Sequence, residues 1–353
     1  MKKADPAHRA TDKLIEKLEK KIGQEYSTAH KEVSAKLADY LERFRLKDQK
    51  WKEWVEAGTK TAHEYREWRT GQIMMGKRWE RLKDSIADDY LAAHKQAERI
   101  ANGYRAEVYA VNHNYATYLI EKGAKMDTSY TLYSRESVER LWRDHPKIYK
   151  RPGRKTQQQI KDGLLKKWDK QQIQSVMTQG ILQGESIPNL TKRLERVTGG
   201  EHAAAIRNAR TMVTGVQNAG RMDAYERANE MGIQTMKTWV ATLDERTRHW
   251  HRELDGVTLP VDEPFENEMG KIMYPGDPSA DGANVYNCRC TLISTVKEFE
   301  IDTKDTNLRN ADHLGKMSYE EWLEGHSKPL PITHQEEVGE AIRQSYLSEY
   351  RRK

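Results

Sequence analysis

Met236-Lys237-Thr238-Trp239-Val240-Ala241-Thr242-Leu243-Asp244 is where the chain stops reading as helix. Before it, apolar residues recur at helical spacing. Here they alternate loosely, which predicts a strand over 236–243. A second alternating stretch at 286–295 follows a turn-rich segment that contains Tyr274-Pro275-Gly276-Asp277-Pro278. Helices followed by a small sheet make this part of the chain an α+β unit. Reading back from the strand, one helical pattern covers 160–180. A second starts at Ser186-Ile187-Pro188, with serine as cap and proline in the first turn, and ends near Gly199-Gly200. A third covers 202–229.

The first 145 residues read as mainly helical. Over 8–50 the series Ile15, Leu18, Ile22, Tyr26, Ala29, Val33, Leu37, Tyr40, Phe44 advances by 3, 4 and 4 in repeat. Eleven residues in three turns give a nearly straight seam, about 60 Å long, narrow enough to need one partner along its length. Residues 51–125 continue as a helical hairpin or small bundle, and 130–133 read as a short strand. Residues 146–157 form a basic Pro/Gly linker whose Lys147, Lys150, Arg151, Arg154 and Lys155 are candidate phosphate contacts. The fold class is therefore mainly α with a C-terminal α+β domain. Its divisions are a helical arm or bundle at 1–145, the linker, an α+β domain at 158–300, and a helical tail at 301–353. In the tail, Ser318 and Glu321 form a capping box ahead of Trp322, and the tail reads as packing onto, or swapping between, copies.

Hydrophobic residues make up 37% of the 353 and charged residues 32%, so many helices must keep most of their circumference in water. Nine Trp and seventeen Tyr against three Phe favour amphipathic surfaces that become interfaces. The net charge of +6 permits nucleic-acid contact without requiring it. No apolar run approaches a membrane span, and Met1-Lys2-Lys3-Ala4-Asp5 carries no apolar signal core. Two cysteines make no disulfide framework, so a soluble, cytosolic chain is expected at synthesis.

Those two cysteines lie in Asn287-Cys288-Arg289-Cys290. On a strand, residues i and i+2 share a face, so both sulfurs would look one way and Arg289 the other. If 247–254 is a short helix, Asp244, Arg248, His251 and Asp255 share its face, and Asp255-Gly256 turns the chain back. Three chemistries fit. The carboxylates can clasp the Arg248 guanidinium as a polar lock. Cys288, Cys290 and His251, with His249 or Asp244 as fourth donor, make a zinc set. A cysteine with His251 as base and Asp244 behind it makes a nucleophile, although no oxyanion site accompanies it. Trp239 and Trp250 read as core.

The ordered set Trp239, Asp244, Arg248, His251, Asp255-Gly256 and Asn287-Cys288-Arg289-Cys290 resembles the Mu F-like family of phage minor head proteins, also called head morphogenesis proteins, over about 158–297. Met317-Ser318-Tyr319-Glu320-Glu321-Trp322 echoes it. The family's arginine-threonine-glutamate triplet reads Arg210-Thr211-Met212 here. The resemblance implies a non-enzymatic minor capsid protein bound at or near the portal inside the head, made in the host cytoplasm and carried in the virion. It implies the portal protein, other capsid or scaffold proteins and genomic DNA as partners, with the first helix docking on the portal or shell. The competing expectation is a metal- or cysteine-dependent enzyme of head maturation.

Overall fold

The computed structural model describes residues 6–74, 77–144, 187–297 and 309–327, together with Gln172, Ser175, Val176 and Gln179. The basic residues Lys147, Lys150, Arg151, Arg154 and Lys155, the helical pattern's start at 160 and the tail beyond 327 lie outside these residues.

Helix α1 (Pro6–Glu56) buries Ala7, Thr11, Leu14, Leu18, Ile22, Tyr26, Ala29, Val33 and Leu37, the 3-4-4 stripe of the sequence. Ile15, Tyr40 and Phe44 are partly buried on its flanks. The expected free arm is corrected here. The stripe is covered by the chain's own α3 (Lys77–Gly103), α4 (Arg105–Ala124) and a long helix α6 (Ile187–Glu230). Leu18, Ile22 and Leu37 are fully buried and Tyr26 and Val33 nearly so, which leaves this face nothing to offer a partner. Between α1 and α3 lies α2 (Ala62–Met74).

Helix α4 is the hub. It packs on α1, α3, α6, the short α5 (Arg135–Asp144) and the C-terminal elements. Gly220 of α6 makes the α4–α6 approach possible, because a Cβ there would sit 2.8 Å from the Tyr109 carbonyl oxygen. Being surrounded, α4 buries polar groups as well, and each finds a partner. Asn112 donates to Thr11 and Val108, and Glu121 accepts from Thr128 and from the Trp322 indole. Asn114 also explains why 130–133 is not the expected strand. Its side chain accepts from Tyr133 N and donates to Tyr133 O, taking the backbone groups that a neighbouring strand would have used.

His113 lies in the same layer, stacked on Tyr133 at 4.5 Å between ring centres, with Nδ1 2.7 Å from the Tyr130 hydroxyl. Burial, and then the charge of Arg227, press its pKa down to about 3. The unfolded chain therefore binds one more proton than the folded chain between about pH 3 and 6.5, and stability falls as pH falls through that window. Titration of unfolding free energy with acid is expected to show this proton. Replacing His113 with Asn should lower stability at pH 7 but make the slope between pH 6 and 4 shallower by about 1.4 kcal/mol per pH unit. An unchanged slope would mean that His113 does not stay neutral.

Helix α6 continues through Gly199-Gly200, where a break was expected. Two interior glycines cost about 2 kcal/mol of helix propensity, and the packing of α6 along α1, α3 and α4 offsets that. Next comes a three-stranded antiparallel sheet in the order β3-β2-β6, with β2 (Thr235–Val240), β3 (Thr258–Pro260) and β6 (Thr291–Val296). The registers pair Trp239 with Leu292 and Thr238 with Thr258. The hairpin β4 (Phe265–Asn267) and β5 (Gly270–Ile272) stands beside it, and the core under both holds Trp239, Phe265, Ile272, Leu254 and Leu292. Strand β1 (Met126–Asp127) pairs with β7 (Arg309–Asn310), and α9 (Tyr319–Ser327) packs Trp322 against α4. The capping box forms, with Ser318 N donating to Glu321 and Glu321 N to Ser318 Oγ. The segment 309–327 thus packs on its own chain.

Candidate functional site

The second strand begins at Thr291, so Cys288 and Cys290 precede it rather than sit on it. A short helix α8 (Gly282–Val285) ends in a turn, and Asn287 takes the left-handed conformation, φ +57°. Thr211 Oγ1 accepts from Asn287 N, and Thr214 Oγ1 donates to the Cys288 carbonyl, so α6 holds this turn. The sulfurs face one neighbour because of the turn, not because of strand alternation. That neighbour is His251, on α7 (His249–Glu253). Its Nδ1 lies 3.6 Å from Cys288 Sγ and 3.6 Å from Cys290 Sγ. All three side chains are buried, and their donor atoms lie within 4.8 Å of one another. Trp239 closes the floor, edge-on to the imidazole at 5.3 Å.

The polar clasp forms with different members from those expected. Asp244 grips Arg289, not Arg248, through two bonds of 2.5 and 2.7 Å. Together with Thr247 and the Arg246 amide, Arg289 holds the Asp244 carboxyl well below the usual carboxylate range. Helix α7 starts at His249, two residues later than the expected 247, with Arg248 at its N-cap, and the Arg248 guanidinium donates to the Tyr286 carbonyl. Asp255 accepts from Ala241 N, and Gly256 N donates to the Trp239 carbonyl, so this pair closes the β2–β3 turn as read. Asp244 makes no hydrogen bond to His251 among the described residues, so it neither orients the imidazole nor supplies a fourth donor. His249 is two-thirds exposed and pairs with Glu268 at 2.7 Å, which removes it from the set as well.

The two thiols share their protons. Cys288 and His251 beside it press the Cys290 thiol below its ordinary pKa. Its pair-bond and burial hold the proton on Cys288. Metal chemistry needs two thiolates and one imidazole nitrogen converging without rearrangement. About 2.3 Å from zinc to sulfur and about 2.05 Å to nitrogen set S···N at about 3.6 Å in a tetrahedron. Both observed distances have that value. The residues fit the ion.

Sequence reading missed the face of α6 that carries this site. Thr214, Gln217, Asn218 and Arg221 recur at helical spacing, are buried, and line the free edge of β6. Asn218 accepts from Leu292 N and donates to the carbonyls of Cys290 and Pro275. Gln217 donates to Thr291 Oγ1, and Arg221 to the Leu292 carbonyl. Side chains of a helix thus replace the next strand. The available signal was a polar Thr-x-x-Gln-Asn-x-x-Arg stripe lacking the carboxylates of a solvated face. Lys237 escaped notice too: it is fully buried, and Nζ donates to the carbonyls of Val261 and Met273.

The family described as Phage Mu protein F like protein matches residues 171–293, the span from before α6 into β6. A minor head protein, GP7, of Bacillus phage SPP1 is 24% identical over 285 residues, covering 81% of this chain and 84% of that protein. The NAD(+)–arginine ADP-ribosyltransferase EFV of Enterococcus faecalis is 32% identical over 170 residues, 46% of this chain. The chain covers only 34% of that enzyme's length. No solved structure matches significantly. Within the Mu F-like domain, Arg210 of the family triplet position pairs with Glu19 on α1, and Thr211 carries the Asn287 turn. Met212, in place of the glutamate, packs against the helical core.

Proposed function

We propose that this chain is a minor head protein of a tailed phage, acting in head morphogenesis as a structural component and not as an enzyme. The supporting observation is the reach of the likeness to the SPP1 minor head protein, which takes in most of both chains and so extends beyond the Mu F-like domain into the helical half. The proposed partners are the portal protein and other capsid or scaffold proteins, with genomic DNA as a further contact. The proposed route leads from host cytoplasm to capsid interior. Among the described residues no helix is long and apolar enough to cross a membrane.

The buried stripe of α1 is unavailable for docking, so the docking surface is placed at the other end of that helix. Beyond Leu37, α1 and α2 meet where Phe44 and Trp51 of α1 stack on Trp68 of α2, which also stacks on Tyr65 of its own helix. Trp54 remains 45% exposed there and Leu46 59%. Such a half-covered aromatic tip is the kind of surface that anchors an interface. The test is complementation of a phage lacking the gene with the full-length protein or with a Leu46→Asp/Trp54→Asp variant. The wild-type chain should be found in purified heads, and the folded variant should be depleted at least tenfold. A wild-type chain absent from heads would overturn the head-protein reading. A variant that enters at the wild-type level would overturn the placement of the docking surface.

A further inference from the structure

Three soft donors in the Mu F-like domain converge on one point without any exposed path between them. His251 Nδ1 is 3.6 Å from each cysteine sulfur. One imidazole nitrogen can donate one proton or accept one, so it cannot satisfy two thiols at once. The other ring nitrogen, Nε2, is buried without a hydrogen-bond partner among the described residues. Cys288 Sγ also receives a backbone amide, from Cys290 N at 3.4 Å. Amide donors aimed at sulfur stabilise thiolate ligands as an outer shell. Two thiolates and a neutral imidazole select zinc over hard cations such as magnesium or calcium, which take oxygen.

We propose that His251, Cys288 and Cys290 bind a zinc ion that staples α7 to the turn before β6. Binding of the ion leaves both sulfurs as thiolates, any thiol proton going to solvent, so the two thiolates balance its charge. No fourth protein donor joins the three among the described residues, and a water completes the tetrahedron. The physical role follows from the surroundings. Strands β3, β4 and β5 have three residues each, so their ladders are short. A metal bond across such a region adds directly to folding free energy. The site is independent of whether the chain enters heads, because it concerns only the fold of the domain.

The test uses the full-length chain, purified without added metal, and reads metal content, cobalt absorption and thermal stability. About one zinc per chain is expected. Cobalt loaded in its place should give a thiolate-to-cobalt charge-transfer band and the intense visible bands of a tetrahedral ion. Stripping with chelator should lower Tm by about 5 °C or more, with recovery on adding zinc. Cys290→Ser should lose the charge-transfer intensity and the chelator sensitivity, while His249→Ala, next to the site but outside it, should keep both. If the cysteine variant fails to fold, the cobalt spectrum of the wild-type chain still decides. A folded wild-type chain without zinc above background, without a thiolate–cobalt band and with a Tm indifferent to zinc and chelator would overturn the proposal.

Discussion

Gly276→Ala is expected to destabilise the protein by about 2–5 kcal/mol, from two costs that add. Gly276 has φ +82°, where a Cβ alone costs about 1–2 kcal/mol. The second cost is steric and cannot be relieved by rotating a side chain. The new Cβ would lie 2.7 Å from Gly215 N, 2.8 Å from Gly215 Cα and 3.2 Å from the Thr214 carbonyl carbon. All three atoms belong to the backbone in the middle of α6. Forcing atoms into such a contact costs about 1–3 kcal/mol more. The loop that Gly276 belongs to is rigid on its own account, with Asp277 accepting from Met273 N, Ser279 N and Ser279 Oγ. It therefore has to move as a body, taking Pro275 O away from Asn218. Gly270→Ala is the control, because Gly270 has φ +97° but open space around its Cβ position. Thermal melts should show Gly276→Ala several degrees below Gly270→Ala. Equal melting temperatures would mean that α6 yields and that the close approach carries no weight.

The 3-4-4 stripe of α1 was legible because eleven residues in three turns leave one straight apolar line, and any partner satisfies such a line. What covers it was not legible: the covering side chains come from α3, α4 and α6, far along the chain, and periodicity says nothing of which helix meets which. The convergence of His251 with the two cysteines was read through strand alternation, yet a left-handed Asn287 turn produces it. Arg289 and Arg248 exchange roles for the same reason. Once Cys288 to Cys290 lie in a turn rather than a strand, Arg289 is free to reach Asp244. The polar face of α6 showed only as a stripe without carboxylates, because residue type alone does not distinguish a buried Asn from a solvated one. Only the unpaired edge of β6 shows what Asn218 and Arg221 are for.

Arg221→Met is the other large effect expected, about 3 kcal/mol or more, because it orphans buried acceptors in two halves of the molecule. Arg221 is 1% exposed. Its Nε donates to Asn112 Oδ1 at 3.0 Å, an η nitrogen donates to the Leu292 carbonyl at 2.6 Å, and the guanidinium lies 5.8 Å from the Tyr115 ring centre. Asn112 passes the link on by donating to Thr11 Oγ1 of α1 at 2.8 Å. One side chain on α6 thereby ties the first helix and the hub helix to the edge of the sheet. Methionine fills much of the volume but supplies no donor, so Asn112 Oδ1 and Leu292 O lose a partner while staying buried. If the four groups act as a unit, removing a second member costs less once the first is gone. A double-mutant cycle of Arg221→Met with Thr11→Val, read by denaturant unfolding, should give a coupling of about 1 kcal/mol or more. Strict additivity would mean that Thr11, Asn112 and Arg221 are neighbours without a shared network. The join between the helical half and the Mu F-like domain would then rest on apolar packing and on separate polar contacts such as Arg210 with Glu19.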